Sequence, residues 1–181
     1  EQFIQRDHDG SELPYLRVWN AKGEPNPDYP QVPNAPFPVD GPPMNKSANA
    51  VLLSPIHAYY HNIEQINGGK NDMFAAMSTV GGYTMGYFDG STMQLWQWAK
   101  KYTLADNFFM GAFGGSYLNH QYLICACAPI HKDAPEAMRA VLDDKGRLKK
   151  YPDSPSAKDG AVKTYVGGIG GQVTPDGFSV N

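Results

Sequence analysis

Only two cysteines occur in the 181 residues, Cys125 and Cys127, with a single residue between them. Such a pair supplies no disulfide framework, and the spacing makes even a mutual bridge geometrically awkward. Both lie in an apolar run, so a buried structural role is expected. Long apolar runs are missing too. None approaches the roughly 18 residues that would span a bilayer, so no transmembrane segment is expected. Basic residues never run beyond two in a row, and the formal net charge is −3. This excludes the electrostatic footprint of a nucleic-acid binder. There is no initiator methionine, no leader and no internal repeat. The chain begins at Glu1 as a processed or excised piece would.

Proline is plentiful but unevenly placed. Nine of the fifteen prolines fall between Pro14 and Pro43. Proline fixes φ and donates no hydrogen bond, so this stretch is expected to be extended and irregular. Its aromatic residues (Tyr15, Trp19, Tyr29 and Phe37) distinguish it from a plain linker. Residues 1–44 therefore read as a segment wrapped over a larger body.

Residues 45–130 read as a helical core. Ser54-Pro55 is a cap and first-turn pair, with Ile56, Tyr59, Tyr60 and Ile63 following at helical spacing. Asn67-Gly68-Gly69 ends that helix. A short second helix is expected over residues 70–78. Residues 80–89 read as a loop or short strand. A strong helix is expected from Ser91 or Thr92 to about Tyr102, with Met93, Leu95, Trp96, Trp98 and Ala99 facing inward. Residues 105–113 read as a short buried strand or turn. A last helix runs from Tyr117 to about Ala128. It is apolar nearly all round, as a helix inside a sizeable protein would be. Residues 131–181 are polar and loop-rich, with a turn at Asp143-Asp144-Lys145-Gly146. Gly167-Gly168-Ile169-Gly170-Gly171 lacks the lysine and the strand-to-helix setting of a phosphate-binding loop, and reads as a flexible loop.

The chemistry concentrates in Ala112-Phe113-Gly114-Gly115-Ser116-Tyr117-Leu118-Asn119-His120. Two glycines allow a tight turn and leave room beside the backbone. Ser116 follows where the helix begins, at a terminus whose unpaired N–H groups and dipole favour an anion. A serine capping a helix after a loop is the plainer reading of the same residues. A serine hydroxyl is a poor nucleophile until a base or a metal removes its proton. His120, one turn along, aims poorly at Ser116 Oγ, and no acid lies nearby to orient it. A metal-activated serine is the better reading. A divalent ion wants oxygen or imidazole ligands. His57 and His61 stand at i, i+4, a spacing that can hold a metal and that ordinary histidines also show. No dense ligand cluster is visible.

Larger blocks carry a resemblance. They are Pro55-Ile56-His57, the run from Gln65 to Phe74, Met85-Gly86-Tyr87, the run from Tyr102 to Phe109, and Ala112 through Ala128. Weaker flanks are Asn34-Ala35-Pro36-Phe37 and Thr174-Pro175-Asp176-Gly177. In these blocks the chain resembles the acid phosphatase and phospholipase C family of the alkaline phosphatase superfamily, over nearly its whole length. The resemblance implies a single α/β domain, an α/β/α sandwich of which this chain is a helix-rich part. It implies a divalent metal ion and hydrolysis of phosphate monoesters through a phosphoserine. Ser116 stands at the position of the nucleophile and metal ligand, His57 at that of an active-site histidine, and Asn119 at that of a phosphate-contacting residue. His61 and His120 have weaker claims, His120 as a substrate contact. The block from Phe108 to Ala128 is closer to the acid phosphatase branch. Phospholipase C or other phosphodiesterase activity is the alternative within enzymes, and a non-catalytic homologue the alternative outside them. The family's Glu-Asn ligand pair and later Asp pair are missing. The chain therefore looks like an interior slice whose metal ligands come from the rest of the domain or another chain. Members are mostly periplasmic or secreted.

Overall fold

The computed structural model describes residues 3–165 and 171–181. The glycine run from Gly167 to Gly170 lies outside the described residues. The fold is mixed α/β, with little regular structure. Two-residue strands β1 (Phe37–Pro38) and β2 (Gly86–Tyr87) pair in parallel, Phe37 opposite Gly86. Three α-helices are present among the described residues: α1 (Tyr59–Ile66), α2 (Gln94–Lys101) and α3 (Ser116–Cys125). Isolated bridges join most of the remainder.

The proline-rich segment is extended and non-helical, as its composition predicts. It is not an outer wrapping, however. Leu13, Leu16, Val18, Trp19, Val32, Phe37 and Val39 are all buried and lie at the centre of the molecule. Met73, Met77, Val80, Leu148 and Val180 pack with them. Residues without ladder hydrogen bonds need side-chain partners for their buried backbone groups. Asn34 supplies them: its Nδ2 donates to the carbonyls of Gln5 and Leu13, both at 2.7 Å, and its Oδ1 accepts from Gln5 N–H at 2.8 Å.

α1 begins at Tyr59, later than the Ser54-Pro55 pair predicts, because residues 51–58 stay outside regular structure. Its C-terminus is where the sequence places it. Asn67, at φ 43°, is left-handed, and Gly68 and Gly69 follow with positive φ. Residues 70–78 make turns rather than a helix, closed by Met77 N–H donating to the Met73 carbonyl at 2.9 Å. The buried face of α1 carries Glu64, which accepts from Leu148 N–H at 3.0 Å and from Lys150 Nζ at 2.6 Å. That pair ties α1 to the last third of the chain.

Two apolar elements sit on the outside, against expectation. α2 has no buried residue: Leu95 is 73% exposed, and Trp96 and Trp98 are nearly half exposed. Residues 105–113 form neither a strand nor a buried turn, and Phe108 and Phe109 are each 80% exposed. α3 ends at Cys125, and Leu123 and Ile124 project outward. Nothing in the described chain covers these faces. The cysteine expectation is corrected as well. Cys125 and Cys127 are exposed and bridged to each other. Ala126 between them adopts a left-handed φ of 50°, which folds the two Cα atoms to 5.2 Å, within disulfide range.

Candidate functional site

Ser116 is the first residue of α3, and Gly115 in extended conformation occupies the cap position. The serine is exposed and makes no cap hydrogen bond, so its hydroxyl is not used as an N-cap. The glycines before it are required by close approach. A Cβ on Gly115 would lie 2.6 Å from the Asn181 main chain, and one on Gly114 would lie 2.5 Å from the Val180 carbonyl oxygen. Residues 180 and 181 thus pass directly beside the loop. Gly115 N–H donates to the Val180 carbonyl at 2.9 Å, and Leu118 N–H donates to the Asn181 carbonyl at 3.2 Å.

Asn119 holds the loop from the other side. Its Oδ1 accepts from Ala112 N–H at 3.2 Å, and its Nδ2 faces the carbonyls of Ala112, Gly114 and Gly115 at 3.0–3.4 Å. Asn119 is 5% exposed. In this arrangement its amide serves the backbone of the loop, and a contact with phosphate requires exchanging one of these bonds. With Leu118 capped by Asn181, the N–H groups of Ser116 and Tyr117 have no partner among the described residues. Two adjacent donors and a bare hydroxyl on a helix dipole are a fit for a phosphoryl group.

His57 lies just before α1 rather than on it, and is exposed. Its Nδ1 is 3.0 Å from the Pro55 carbonyl, which can only accept. Nδ1 therefore carries the proton there, and Nε2 is left to exchange protons with a ligand. Asn181 links this region to the serine loop. Its Oδ1 accepts from Tyr59 N–H at 2.7 Å, while its main chain holds Leu118. The Tyr59 and Phe113 rings meet edge to face at 5.4 Å. The segment after His57 and the loop before Ser116 are thus joined at one corner.

His61 diverges from His57. It is buried in α1, with Nδ1 unpartnered, against a small cavity of about 50 Å³ lined with Ile56, Met77 and Thr79. Burial, reinforced by the positive charge of Lys150, lowers its pKa to about 4. The two imidazoles thus sit in different environments, His57 exposed before α1 and His61 buried within it. His120 is exposed on α3. Among the described residues no group of three or more His, Cys, Asp or Glu side chains is placed to hold a metal ion. The described residues therefore do not make a metal centre by themselves. No described helix is long and apolar enough to cross a membrane.

The sequence gives no sign of the strap formed by residues 180 and 181. Nor does it signal the cleft of about 490 Å³ lined by Tyr117, Gln172 and Ser179. A family model described as the Phosphoesterase family matches residues 4–176. No curated protein and no solved structure matched the chain.

Proposed function

The chain belongs to the Phosphoesterase family, and from that premise we propose that it carries the nucleophile for hydrolysis of phosphate monoesters, with Ser116 as the attacking residue. The observation that carries this reading is the exposed Ser116 hydroxyl, at the open first turn of α3 behind a loop fixed on both sides. In the first step Ser116 Oγ attacks phosphorus in line, the Oγ–P bond forms and the ester P–O bond breaks. The N–H groups of Ser116 and Tyr117 donate to non-bridging oxygens. The serine proton passes to solvent as the hydroxyl is activated, and His57 gives a proton to the leaving alcohol. Water then cleaves the phosphoserine. Asn119 acts chiefly by holding the loop, and His120, exposed one turn along α3, is the remaining substrate contact.

A divalent ion bound to Ser116 Oγ would lower the hydroxyl pKa and neutralise phosphoryl charge. Because the described residues form no ligand cluster, its other ligands must come from outside them. The exposed apolar faces of α2, residues 104–113 and α3 support the same conclusion. Patches of this kind mark surfaces made to be covered. We place the remainder of an α/β/α sandwich of the alkaline phosphatase type there, contributed by the rest of the domain or by another chain. The exposed Cys125–Cys127 bridge supports an oxidising setting, periplasmic or secreted. The absence of a described ligand cluster favours a second reading, a non-catalytic homologue. Phosphodiester substrates of the phospholipase C type are the enzymatic alternative.

The test is release of p-nitrophenol from its phosphate monoester by the intact gene product with added divalent metal. Ser116→Ala is expected to lower turnover by a factor on the order of 10³ or more. Near-normal release by that variant rules out the role of Ser116. Preference for phosphatidylcholine points to the diesterase alternative, and no turnover by the metal-loaded wild type points to the non-catalytic one.

A further inference from the structure

The cleft of about 490 Å³ beside the serine loop has walls built by main-chain pairing. Ser179 N–H donates to the Pro129 carbonyl at 2.9 Å, and His131 N–H to that of Gly177 at 2.8 Å. On the other side Val173 N–H reaches the Met138 carbonyl at 3.2 Å, and Ala140 N–H the Val173 carbonyl at 3.0 Å. Val180 joins this mesh to the nucleophile. Its N–H donates to the Gln172 carbonyl at 3.0 Å, while its carbonyl accepts from Gly115 N–H at 2.9 Å. Gln172 lines the cleft, and Gly115 caps the helix that begins with Ser116. Tyr117, next to the serine, is itself a wall of the cleft.

The lining is mainly apolar, with Tyr117, Pro129, Ile130, Met138 and Val173. Its polar groups are His131, Gln172 and Ser179, and no Asp, Glu, Lys or Arg lines it among the described residues. Lys132 and Arg139 each adjoin a lining residue in sequence but do not themselves line the cleft, and Arg139 is occupied elsewhere. Its guanidinium donates to the carbonyls of Ala134 at 3.1 Å, Pro175 at 2.6 Å and Lys132 at 2.8 Å. A multiply charged group would find no Lys or Arg among the described lining residues. An apolar moiety of ordinary ligand size would find both volume and contact.

We propose that this cleft is the subsite for the leaving group of the ester, and that it takes a neutral, mainly apolar alcohol, aromatic in preference. The proposal rests on the phosphoesterase reading of Ser116 for its meaning, though not for its measurement. The substrate's phosphoryl group sits at the first turn of α3 while its alcohol lies across Tyr117 towards Val173. Tyr117 supplies an aromatic face, and Gln172 or His131 meets a hydroxyl at the rim.

Binding of the product-like alcohol 2-naphthol, followed by amide chemical shifts with glycerol as the polar comparator, tests the subsite without turnover. Saturable shifts are expected at residues 130–131, 172–173 and 179. Tyr117→Ala should weaken binding about fivefold to tenfold, the size of a lost aromatic contact. Trp96→Ala, on the exposed face of α2, should leave it unchanged. Shifts centred on α2, equal response to glycerol, or indifference to Tyr117→Ala would overturn the assignment. Ser116→Ala should bind 2-naphthol as the wild type does. Binding without any ester turnover would therefore count against the phosphoesterase reading alone, and turnover of an aryl phosphate without naphthol shifts in the cleft would count against the subsite alone.

Discussion

His61 and Asp7 show how single buried side chains set the response to pH. His61 is 7% exposed and has no partner for Nδ1. Burial is the main cause of its pKa of about 4, with Lys150 adding repulsion. The unfolded chain therefore binds more protons between the ordinary histidine value of 6.5 and about 4, and stability falls as pH is lowered through that window. The expected loss is about 3 kcal/mol, complete below the folded value. Asp7 acts at lower pH. Burial opposes its charge, but hydrogen bonds from His8, Ser156 and the Ala157 N–H outweigh it and hold the carboxyl well below its usual range. Its contribution, present above the ordinary carboxylate value, is lost only under stronger acid. Urea titrations of wild type and His61→Gln at pH 7 and pH 4.5 check this. The wild type should lose about 2 kcal/mol more than the variant over that interval. Equal losses would contradict the assignment. The roles of individual residues were only partly legible in sequence. The start of a helix at Ser116 was legible locally, from the two glycines before it, whereas the role proposed for its hydroxyl came from the resemblance. The divergence of His57 and His61 was not legible, because it depends on where α1 starts.

At the scale of elements, periodicity predicted helices better than it predicted their surroundings. The repeat through Leu95, Trp96, Trp98 and Ala99 gives a helix at α2, yet the described chain holds nothing that packs against it. The two-glycine stop after Asn67 was legible because the left-handed turn is a local requirement. The cysteine bridge was missed because one left-handed residue, Ala126, shortens a distance that spacing alone overstates. These contrasts have an energetic counterpart. Leu16 is 1% exposed in the proline-rich segment, and Leu16→Ala should cost about 2–5 kcal/mol. Trp96→Gln on α2 should change the stability of this chain by no more than about 0.5 kcal/mol, as surface substitutions do. Denaturant midpoints of the two variants separate these cases. A large loss from Trp96→Gln would mean that α2 packs against this chain after all.

Over the whole molecule, the core is assembled from segments far apart in sequence. Glu64 reaches Leu148 and Lys150, Asp7 reaches Ser156, and Asn181 joins Tyr59 to Leu118. Composition foretold that the proline-rich segment is extended. It could not show that this segment forms the interior, because partners of its backbone lie far along the chain, Val80 for Trp19, Tyr87 for Val39 and Ala161 for Gly23. The same long-range closure brings residues 180 and 181 against the loop before Ser116 and aligns that loop with the cleft. The α/β class was legible from the resemblance, as was the family to which the chain belongs. The most direct measurement is acid-quench trapping of the intact gene product during turnover of a phosphate monoester with divalent metal, followed by phosphopeptide mapping. A phosphoryl group on Ser116, absent from Ser116→Ala, is the predicted result. Turnover with no label on Ser116, or with the label on another residue, would contradict the account.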